Sequence, residues 1–411
     1  MEIDRKLLGV ILFISLIASL SCNYYFGDIH LDNEWGIIFH NYEISKIMGY
    51  NVVINDFLAV PKIAEAGETV LPTALMPPLY FFFILSIKTL SGDLIDLVSV
   101  IKFAQIFIGL ISILIFYRIL KILSANKKIN LLLTSIYAFF PLNIYSQTQI
   151  SSATLQIFLI TAYFFFLIDF ITKNKFKKLI FFSVISGLLV LIRGEFLFFY
   201  IVTIIYFFIF LKKNFLVFIL SIIVVIFVTS PYLYRNYINF DSLIFTKSFG
   251  YNLLKGNNPS LIVEGNSKFI DENFKSKDLN FKADKKYEFK LDDFYKTQAL
   301  NYIRNDPIKY FKLYLKKIFS YIFLDFNSTY PNYYNFIHII PKILISIFCF
   351  LGAILAFSKK GVYQFLTIYY ILNISIFSVF FILPRYSVTL LPVQLLLTLE
   401  VLKFLNKKFF N

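Results

Sequence analysis

Apolar runs separated by short polar or basic segments dominate the pattern of this 411-residue chain. A run of about 20 apolar residues is long enough to cross the hydrocarbon core of a bilayer as an α-helix. The pattern therefore predicts an all-α polytopic membrane protein with about ten spans. The predicted spans are residues 7–25, 98–119, 129–145, 153–171, 179–192, 196–211, 215–234, 339–357, 362–383 and 386–405.

Lysine and arginine residues cluster at every second boundary between these runs. Cytoplasmic flanks of membrane helices carry such an excess of positive charge. The alternation supports the predicted spans and predicts a multi-pass protein with both termini in the cytoplasm. The predicted inner flanks hold Arg5, Lys6, Arg118, Lys121, Lys127, Lys128, Lys173, Lys175, Lys177, Lys178, Lys212, Lys213, Lys359, Lys360, Lys403, Lys407 and Lys408.

Residues 79–90 form an apolar run that is too short to cross a bilayer. Counting it as a span would also invert every later loop. We interpret it as a helix in the outer interface, because Pro78 suits a first helical turn and Lys88 can extend to lipid headgroups.

Two outer segments connect these spans and divide the chain. Residues 1–234 form an N-terminal transmembrane module that includes the first outer segment, 26–97. Residues 235–338 form a second, mostly helical outer region, and residues 339–411 return to membrane helices. Within the second region, Asn305-Asp306-Pro307 predicts the start of an amphipathic helix over 308–318, with Asn305 or Asp306 as the cap. Its basic face, either solvated or touching anionic lipid, would hold Lys309, Lys312, Lys316 and Lys317.

Composition agrees with a membrane protein. Hydrophobic residues make up 58% of the chain, and the mean hydropathy is +0.71. The net charge of +15 comes mostly from the loop flanks, so we expect no nucleic acid partner. The two cysteines predict no disulfide framework, and the three histidines lack the spacing of metal ligands. His30 and His40 flank an acidic stretch, which leaves a divalent metal open as a cofactor, although none is certain.

That acidic stretch holds Asp32 and Glu34, directly after the first predicted span. Carboxylates at the membrane–water boundary can act as catalytic bases, whereas in the middle of the bilayer they would suggest a transport pathway. The alternative is that they cap the start of an interfacial helix.

Three arginines lie at outer span ends, against the inner bias of positive charge: Arg193, Arg235 and Arg385. Each could simply extend its side chain to the interface. A lipid phosphate is the other explanation, because a guanidinium binds phosphate oxygens in bidentate fashion. In the second outer region, Asn257 and Asn258 either form a structural turn or bind sugar hydroxyls.

An ordered set of motifs gives the chain a family resemblance. The acidic stretch is followed by Pro-Pro-Leu-Tyr at 77–80, an Arg-x-Glu, Pro-Tyr-x-x-Arg-Asn-Tyr at 231–237, Gly-Tyr-Asn with Gly-Asn-Asn-Pro across 250–259, and Pro-Arg-Tyr at 384–386. This order resembles the GT-C superfamily of membrane glycosyltransferases, in particular family 39-like relatives of protein O-mannosyltransferases and lipid A aminoarabinose transferases.

The resemblance implies a GT-C fold and transfer of a monosaccharide from a polyprenyl-phosphate carrier to an acceptor hydroxyl. The reaction would invert the anomeric carbon at the periplasmic face of the inner membrane. Asp32 would be the base, with Glu34 as the alternative. The predicted site residues are, for the lipid phosphate and donor, Arg193, Arg235, Arg385, Lys88 and Tyr386, and for substrate, Glu195, Tyr251, Asn257 and Asn258.

Three other functions stay open at this stage. A purely structural membrane scaffold is one of them and would tolerate Asp32→Asn. A flippase or transporter for lipid-linked glycans would need polar mid-span residues and repeated halves. A polysaccharide polymerase or ligase would share the lipid carrier but use diphosphate-linked glycans. The sequence specifies neither the sugar nor whether the acceptor is a lipid, a glycan or a protein.

Overall fold

The structure is a computed structural model and describes residues 2–26, 59–63, 69–91, 96–173, 175–211, 215–274, 279, 281–282, 284–330 and 333–409. Helices form over nearly all the apolar runs in these ranges. Up to residue 240 they are α1 (Glu2–Phe26), α2 (Leu79–Ser91), α3 (Leu97–Leu123), α4 (Lys127–Phe139), α5 (Pro141–Gln147), α6 (Ala153–Lys173), α7 (Phe176–Ile192), α8 (Phe196–Leu211) and α9 (Phe215–Phe240).

The remaining helices follow α9 in the chain. They are α10 (Phe249–Gly256), α11 (Ser267–Asn273), α12 (Tyr287–Asn305), α13 (Pro307–Ile322), α14 (Phe336–Phe357), α15 (Val362–Phe377), α16 (Pro384–Val388) and α17 (Leu391–Phe409). These bounds confirm the predicted all-α membrane fold.

The structure also contains one small β-hairpin that was not predicted. Strands β1 (Ala59–Ile63) and β2 (Thr69–Pro72) pair antiparallel, with Ala59 opposite Pro72 and an irregularity between Pro61 and Ile63. Valine, isoleucine and threonine are frequent in both strands, and these β-branched residues favour extended backbone. Each strand is at most five residues long, which is too short to give a clear alternating pattern in the sequence.

Five helices in the described residues are long and apolar enough to cross a membrane: Arg5–Phe26, Leu97–Leu123, Ala153–Lys173, Phe215–Phe240 and Phe336–Phe357. Helices α4 and α5 together would make a sixth, bent by 51°. Each of the ten predicted spans overlaps a helix, but several are shorter than a full span, so the structure does not confirm ten crossings. Prolines mark two differences from the predicted spans. Pro141 begins α5, and Pro392 is the second residue of α17, which follows a break after α16. Proline lacks the N–H that a helix interior needs.

Helices α10–α12 form a group with a small hydrophobic core of its own, which we call the outer unit. Leu253, Leu254, Ile270, Tyr295 and Ala299 are buried at its centre, and Phe380 from the turn after α15 packs against them. The outer unit is therefore fixed onto the turn that precedes α16.

Helix α13 begins as predicted, because the Asp306 side chain accepts a hydrogen bond from the Lys309 backbone N at 3.1 Å. The predicted basic face is wrong at one position. Lys309, Lys312 and Lys316 are exposed, whereas Lys317 is fully buried against the outer unit.

Buried carboxylates at the predicted cytoplasmic ends of the helices are paired with lysines. Asp169 contacts Lys173 at 2.6 Å and Lys178 at 3.0 Å. Glu400 of α17 contacts Lys359 and, at 3.0 Å, Lys403. Because an unpaired buried charge is costly, these pairs explain how acids are accommodated inside apolar helices.

Helices α14 and α17 approach each other closely at Gly352. A Cβ built on this glycine would lie 2.1 Å from the carbonyl oxygen of Leu397. Small residues allow such close backbone packing between membrane helices.

We expect Gly352→Ala to destabilise the protein by about 1–3 kcal/mol, because the added methyl group must push the two helices apart. Thermal unfolding of the purified protein in detergent measures the effect. Gly9→Ala is the matched control, since nothing lies within 4 Å of a Cβ at that position. Equal unfolding temperatures for the two variants would contradict this packing account.

Candidate functional site

A cavity of about 540 Å³ opens at the end of α1. It is bounded by α1, α5, the 148–152 segment, residues 330 and 333–338, and α16. The lining is mostly apolar, with a few polar groups, which is the usual character of a small-molecule site. Its lining residues are Cys22, Phe26, Phe139, Pro141, Leu142, Ile144, Tyr145, Ser146, Gln149, Ser151, Ala153, Tyr330, Tyr333, Asn335, Ile337, His338, Pro384, Arg385 and Val388.

Arg385 brings a positive charge into this lining. Pro384 occupies the first turn of α16 and so places Arg385 at the start of the helix, where its side chain is half-buried. Its guanidinium lies 5.7 Å from the ring centroid of Tyr386. Of the predicted phosphate-binding residues, Arg385 alone is in the described lining of the cavity.

A second cluster joins Arg193 to Glu195 and Tyr386. Arg193 Nε donates to Glu195 Oε1 at 2.5 Å. The guanidinium lies over two rings, 4.8 Å from the centroid of Tyr386 and 5.2 Å from that of Phe377. These contacts hold Arg193 in a fixed orientation while part of its side chain stays open to solvent. Because Tyr386 follows Arg385 directly, this cluster adjoins the cavity.

Arg235 has a different environment from the one predicted. Its side chain is buried, and its Nη1 donates to the Thr73 carbonyl and to Asn236 Oδ1, both at 2.8 Å. The Thr73 hydroxyl in turn donates to Glu288 Oε1 at 2.8 Å. These contacts favour a structural role, in which Arg235 ties α9 to the segment before α2 and Thr73 ties that segment to the outer unit.

The structure uses the amides of Asn257 and Asn258 to cap α10. Asn257 Nδ2 donates to the carbonyls of Leu253 and Val379 at 2.9 and 2.8 Å. Asn258 Nδ2 donates to the Leu254 carbonyl at 3.1 Å, and both side chains are buried. This arrangement corresponds to the structural turn, not to a surface that presents amides to sugar hydroxyls.

Two more predicted residues also lie outside the described lining of the cavity. Tyr251 belongs to the outer unit, where its backbone N donates to Asp292 Oδ1 at 3.0 Å and its ring packs on Tyr295. Lys88 is in the last turn of α2 and is half-buried. The predicted bases Asp32 and Glu34, with His30 and His40, lie outside the described residues.

Sequence reasoning missed a buried polar network beside the cavity. Gln105 Nε2 donates to the carbonyls of Gln147 and Gln149, at 3.1 and 2.6 Å, and Gln105 Oε1 accepts from Tyr80 at 3.0 Å. Ser19 of α1 donates to Gln147 Oε1 at 3.0 Å. The network fixes the segment after α5 that lines the cavity. Its signal in the sequence is the run Gln-Thr-Gln-Ile-Ser-Ser at 147–152 between two apolar helices.

The burial of Lys317 was also not predicted from the sequence. Its Nζ donates to Asn257 Oδ1 at 3.0 Å, and no carboxylate of the described chain pairs with it. Burial lowers the pKa of Lys317 from 10.5 to about 7. One turn later, the Tyr321 hydroxyl donates to the Tyr386 carbonyl at 3.1 Å. Helix α13 therefore supports both the capped turn of α10 and the cluster around Arg193.

Comparisons with known proteins agree with this fold. Residues 76–234 match the family model described as dolichyl-phosphate-mannose-protein mannosyltransferase. The structure resembles the archaeal oligosaccharyltransferase AglB from Archaeoglobus fulgidus, solved with an inhibitory peptide and a dolichol-phosphate. The identity is 13% and the TM-score 0.53, over 98% of this chain and 50% of that one. A second structure of the Archaeoglobus fulgidus oligosaccharyltransferase, with Zn and sulfate, gives 13% identity and a TM-score of 0.52, over 97% and 49% of the two chains.

The chain thus spans about half the length of these solved structures. No curated protein sequence matches it. Residues 76–234 are therefore similar to this mannosyltransferase family, and the fold is similar to that of the Archaeoglobus fulgidus oligosaccharyltransferase, in agreement with the predicted resemblance to GT-C enzymes. The long apolar helices are those of a multi-pass membrane protein.

We expect the free energy of unfolding to rise between pH 7 and pH 10.5, because the unfolded state holds the Lys317 proton more tightly than the folded state does. The contribution is at most about 1.4 kcal/mol per pH unit. Chemical denaturation in detergent at pH 7 and pH 9 measures it. Lys317→Met should flatten the rise, whereas Lys316→Met, on the exposed side, should keep the wild-type slope. Parallel slopes for wild type and Lys317→Met would contradict the burial of a titrating lysine.

Proposed function

We propose that this protein transfers a monosaccharide from a polyprenyl-phosphate carrier to an acceptor hydroxyl, with inversion, at the periplasmic face of the inner membrane. The observation that carries the proposal is the cavity at the end of α1, because it combines apolar walls with the Arg385 guanidinium. A lipid phosphate has two matching parts, a hydrophobic chain and an anionic headgroup.

Arg385 supplies the phosphate contact in this proposal. A guanidinium forms strong, oriented hydrogen bonds to phosphate oxygens, and these bonds gain strength where water is excluded. Arg193 is the second cation close by, held by Glu195 and the Tyr386 ring. The structural relative solved with a dolichol-phosphate supports a lipid phosphate as ligand.

The position of the acidic stretch supports Asp32 as the catalytic base. Phe26, the last residue of α1, lines the cavity, and Asp32 follows it by six positions. Six residues of extended chain span at most about 20 Å, so the carboxylate is tethered within reach of the cavity. Glu34 is two residues further on and remains the alternative.

The chemical step then needs three groups. Asp32 accepts the proton of the acceptor hydroxyl, whose oxygen attacks the anomeric carbon from the side opposite the phosphate. The bond from that carbon to the phosphate oxygen breaks, and the electron pair leaves with the lipid phosphate. Arg385 stabilises the negative charge that develops on this leaving group.

The sequence leaves a divalent metal open as a cofactor of this reaction. Among the described residues, no three His, Cys, Asp or Glu side chains lie close enough together to bind one. A divalent metal at the acidic stretch stays a prediction, supported by the zinc in one solved relative.

Transfer of a preassembled lipid-linked glycan is the second candidate function. It is favoured by the likeness of the fold to an oligosaccharyltransferase. The donor separates the two candidates: a single sugar on a monophosphate carrier, or a glycan on a diphosphate carrier.

We expect a gene deletion and Asp32→Asn to remove the same sugar from envelope glycans, glycolipids or glycoproteins, because the amide cannot accept the hydroxyl proton. Mass spectrometry of cells with matched membrane levels of each variant measures this loss. Asp271→Asn, at an exposed position of the outer unit, is the matched control and should retain the sugar. Full retention of the sugar by Asp32→Asn would shift the role of base to Glu34 or favour a transporter.

We expect Arg385→Gln to lower kcat/KM for a polyprenyl-phosphate sugar by about 10- to 100-fold, since a charge-assisted hydrogen bond is worth about 1.5–3 kcal/mol. Arg304→Gln, at an exposed position of α12, is the control and should match wild type. The assay uses purified protein with a panel of carrier-linked sugars. Wild-type activity of the Arg385 variant would exclude it as the phosphate ligand.

A further inference from the structure

His338 presents a hydrogen-bond acceptor that the protein does not use. Its side chain is buried and lines the cavity in the first turn of α14. The Nδ1 atom lies 2.9 Å from the Tyr333 carbonyl oxygen, which can only accept, so Nδ1 carries the hydrogen. In the neutral imidazole, Nε2 is then an acceptor. This Nε2 is buried and has no partner in the described part of the chain.

Gln149 presents a second acceptor in the same lining. Its side chain is 2% exposed, and its Nε2 donates to the Thr148 hydroxyl at 3.3 Å. That hydroxyl already donates to the Tyr145 carbonyl at 2.8 Å, so it can only accept from Gln149. The amide orientation is therefore fixed, and Gln149 Oε1 is the end left buried without a partner among the described residues.

Both unused atoms accept hydrogen bonds, and this decides the chemistry of their ligand. A buried acceptor without a donor costs about 1–3 kcal/mol, so the pair is expected to receive donors when the cavity is filled. Phosphate oxygens are themselves acceptors and match the Arg385 guanidinium instead. Hydroxyl groups donate, and a sugar carries several of them.

We propose that His338 Nε2 and Gln149 Oε1 accept hydrogen bonds from hydroxyl groups of the sugar on the carrier. This inference rests on the proposed function and divides the cavity into a cationic part for the phosphate and an acceptor part for the sugar. The two residues come from α14 and from the segment after α5. That segment is anchored by the buried Gln105 side chain, so the spacing of the acceptors is held by the packed helices.

The test is a binding measurement with the purified full chain in lipid nanodiscs. The probes are bare polyprenyl phosphate and a panel of the same lipid carrying single hexoses or pentoses. Gln149→Met and His338→Phe keep the approximate size of each side chain and remove the acceptor. Thermal unfolding establishes that each variant is folded, and Gln149→Met alone carries the test if the histidine variant does not fold.

Wild type should bind one glycosylated carrier more tightly than the bare carrier. Each variant should reduce that preference by about 2- to 10-fold, the value of one hydrogen bond, and leave binding of bare polyprenyl phosphate unchanged. Arg385→Gln should weaken the binding of both kinds of carrier.

Two results would overturn the sugar subsite: a wild type with no preference for any glycosylated carrier, or variants that weaken bare and glycosylated carriers equally. Failure of the proposed function itself has a different signature. In that case wild type would bind none of the lipids, bare polyprenyl phosphate included.

Discussion

Buried polar groups must find partners in a chain this apolar, and this requirement organises the structure. Helices satisfy their own backbone, but every buried side-chain charge or amide needs a second element to pair with. Glu400 joins α17 to the segment before α15 through Lys359, and Gln105 joins α3 to the segment after α5. Arg235 ties α9 to the segment before α2. Of these pairings, the one made by Gln105 reaches a lining residue of the cavity, Gln149, and fixes that part of the lining.

The same requirement distinguishes candidate functional groups from structural ones. Backbone carbonyls of the protein accept hydrogen bonds from the side chains of Asn257, Asn258 and Arg235. These side chains therefore stabilise the fold. His338 and Gln149 each keep one acceptor atom that the described protein does not satisfy. A site for a polar ligand is expected where such atoms lie in the same lining as a cation, and the cavity meets that condition.

Local sequence patterns were sufficient to predict the helices and part of the candidate site. The positions of the span ends and of Pro384 placed Arg385 at a helix start, and the Arg-x-Glu spacing put Arg193 next to Glu195. The role of Arg235 depends on a carbonyl of Thr73, 162 positions away in the chain, which no local pattern reveals. Lys317 was misassigned for a related reason. The amphipathic pattern does not distinguish Lys316 from Lys317. Only the packing against the outer unit determines which of the two side chains is buried.

The most direct test of the account is a cryo-electron microscopy structure of the protein with bare polyprenyl phosphate bound. The account predicts a phosphate oxygen about 3 Å from the Arg385 guanidinium, the distance of a direct hydrogen bond. The lipid chain should leave along the apolar lining, with space for a sugar towards His338 and Gln149. A phosphate bound more than about 10 Å from Arg385 and Arg193, too far for any direct hydrogen bond, would contradict it.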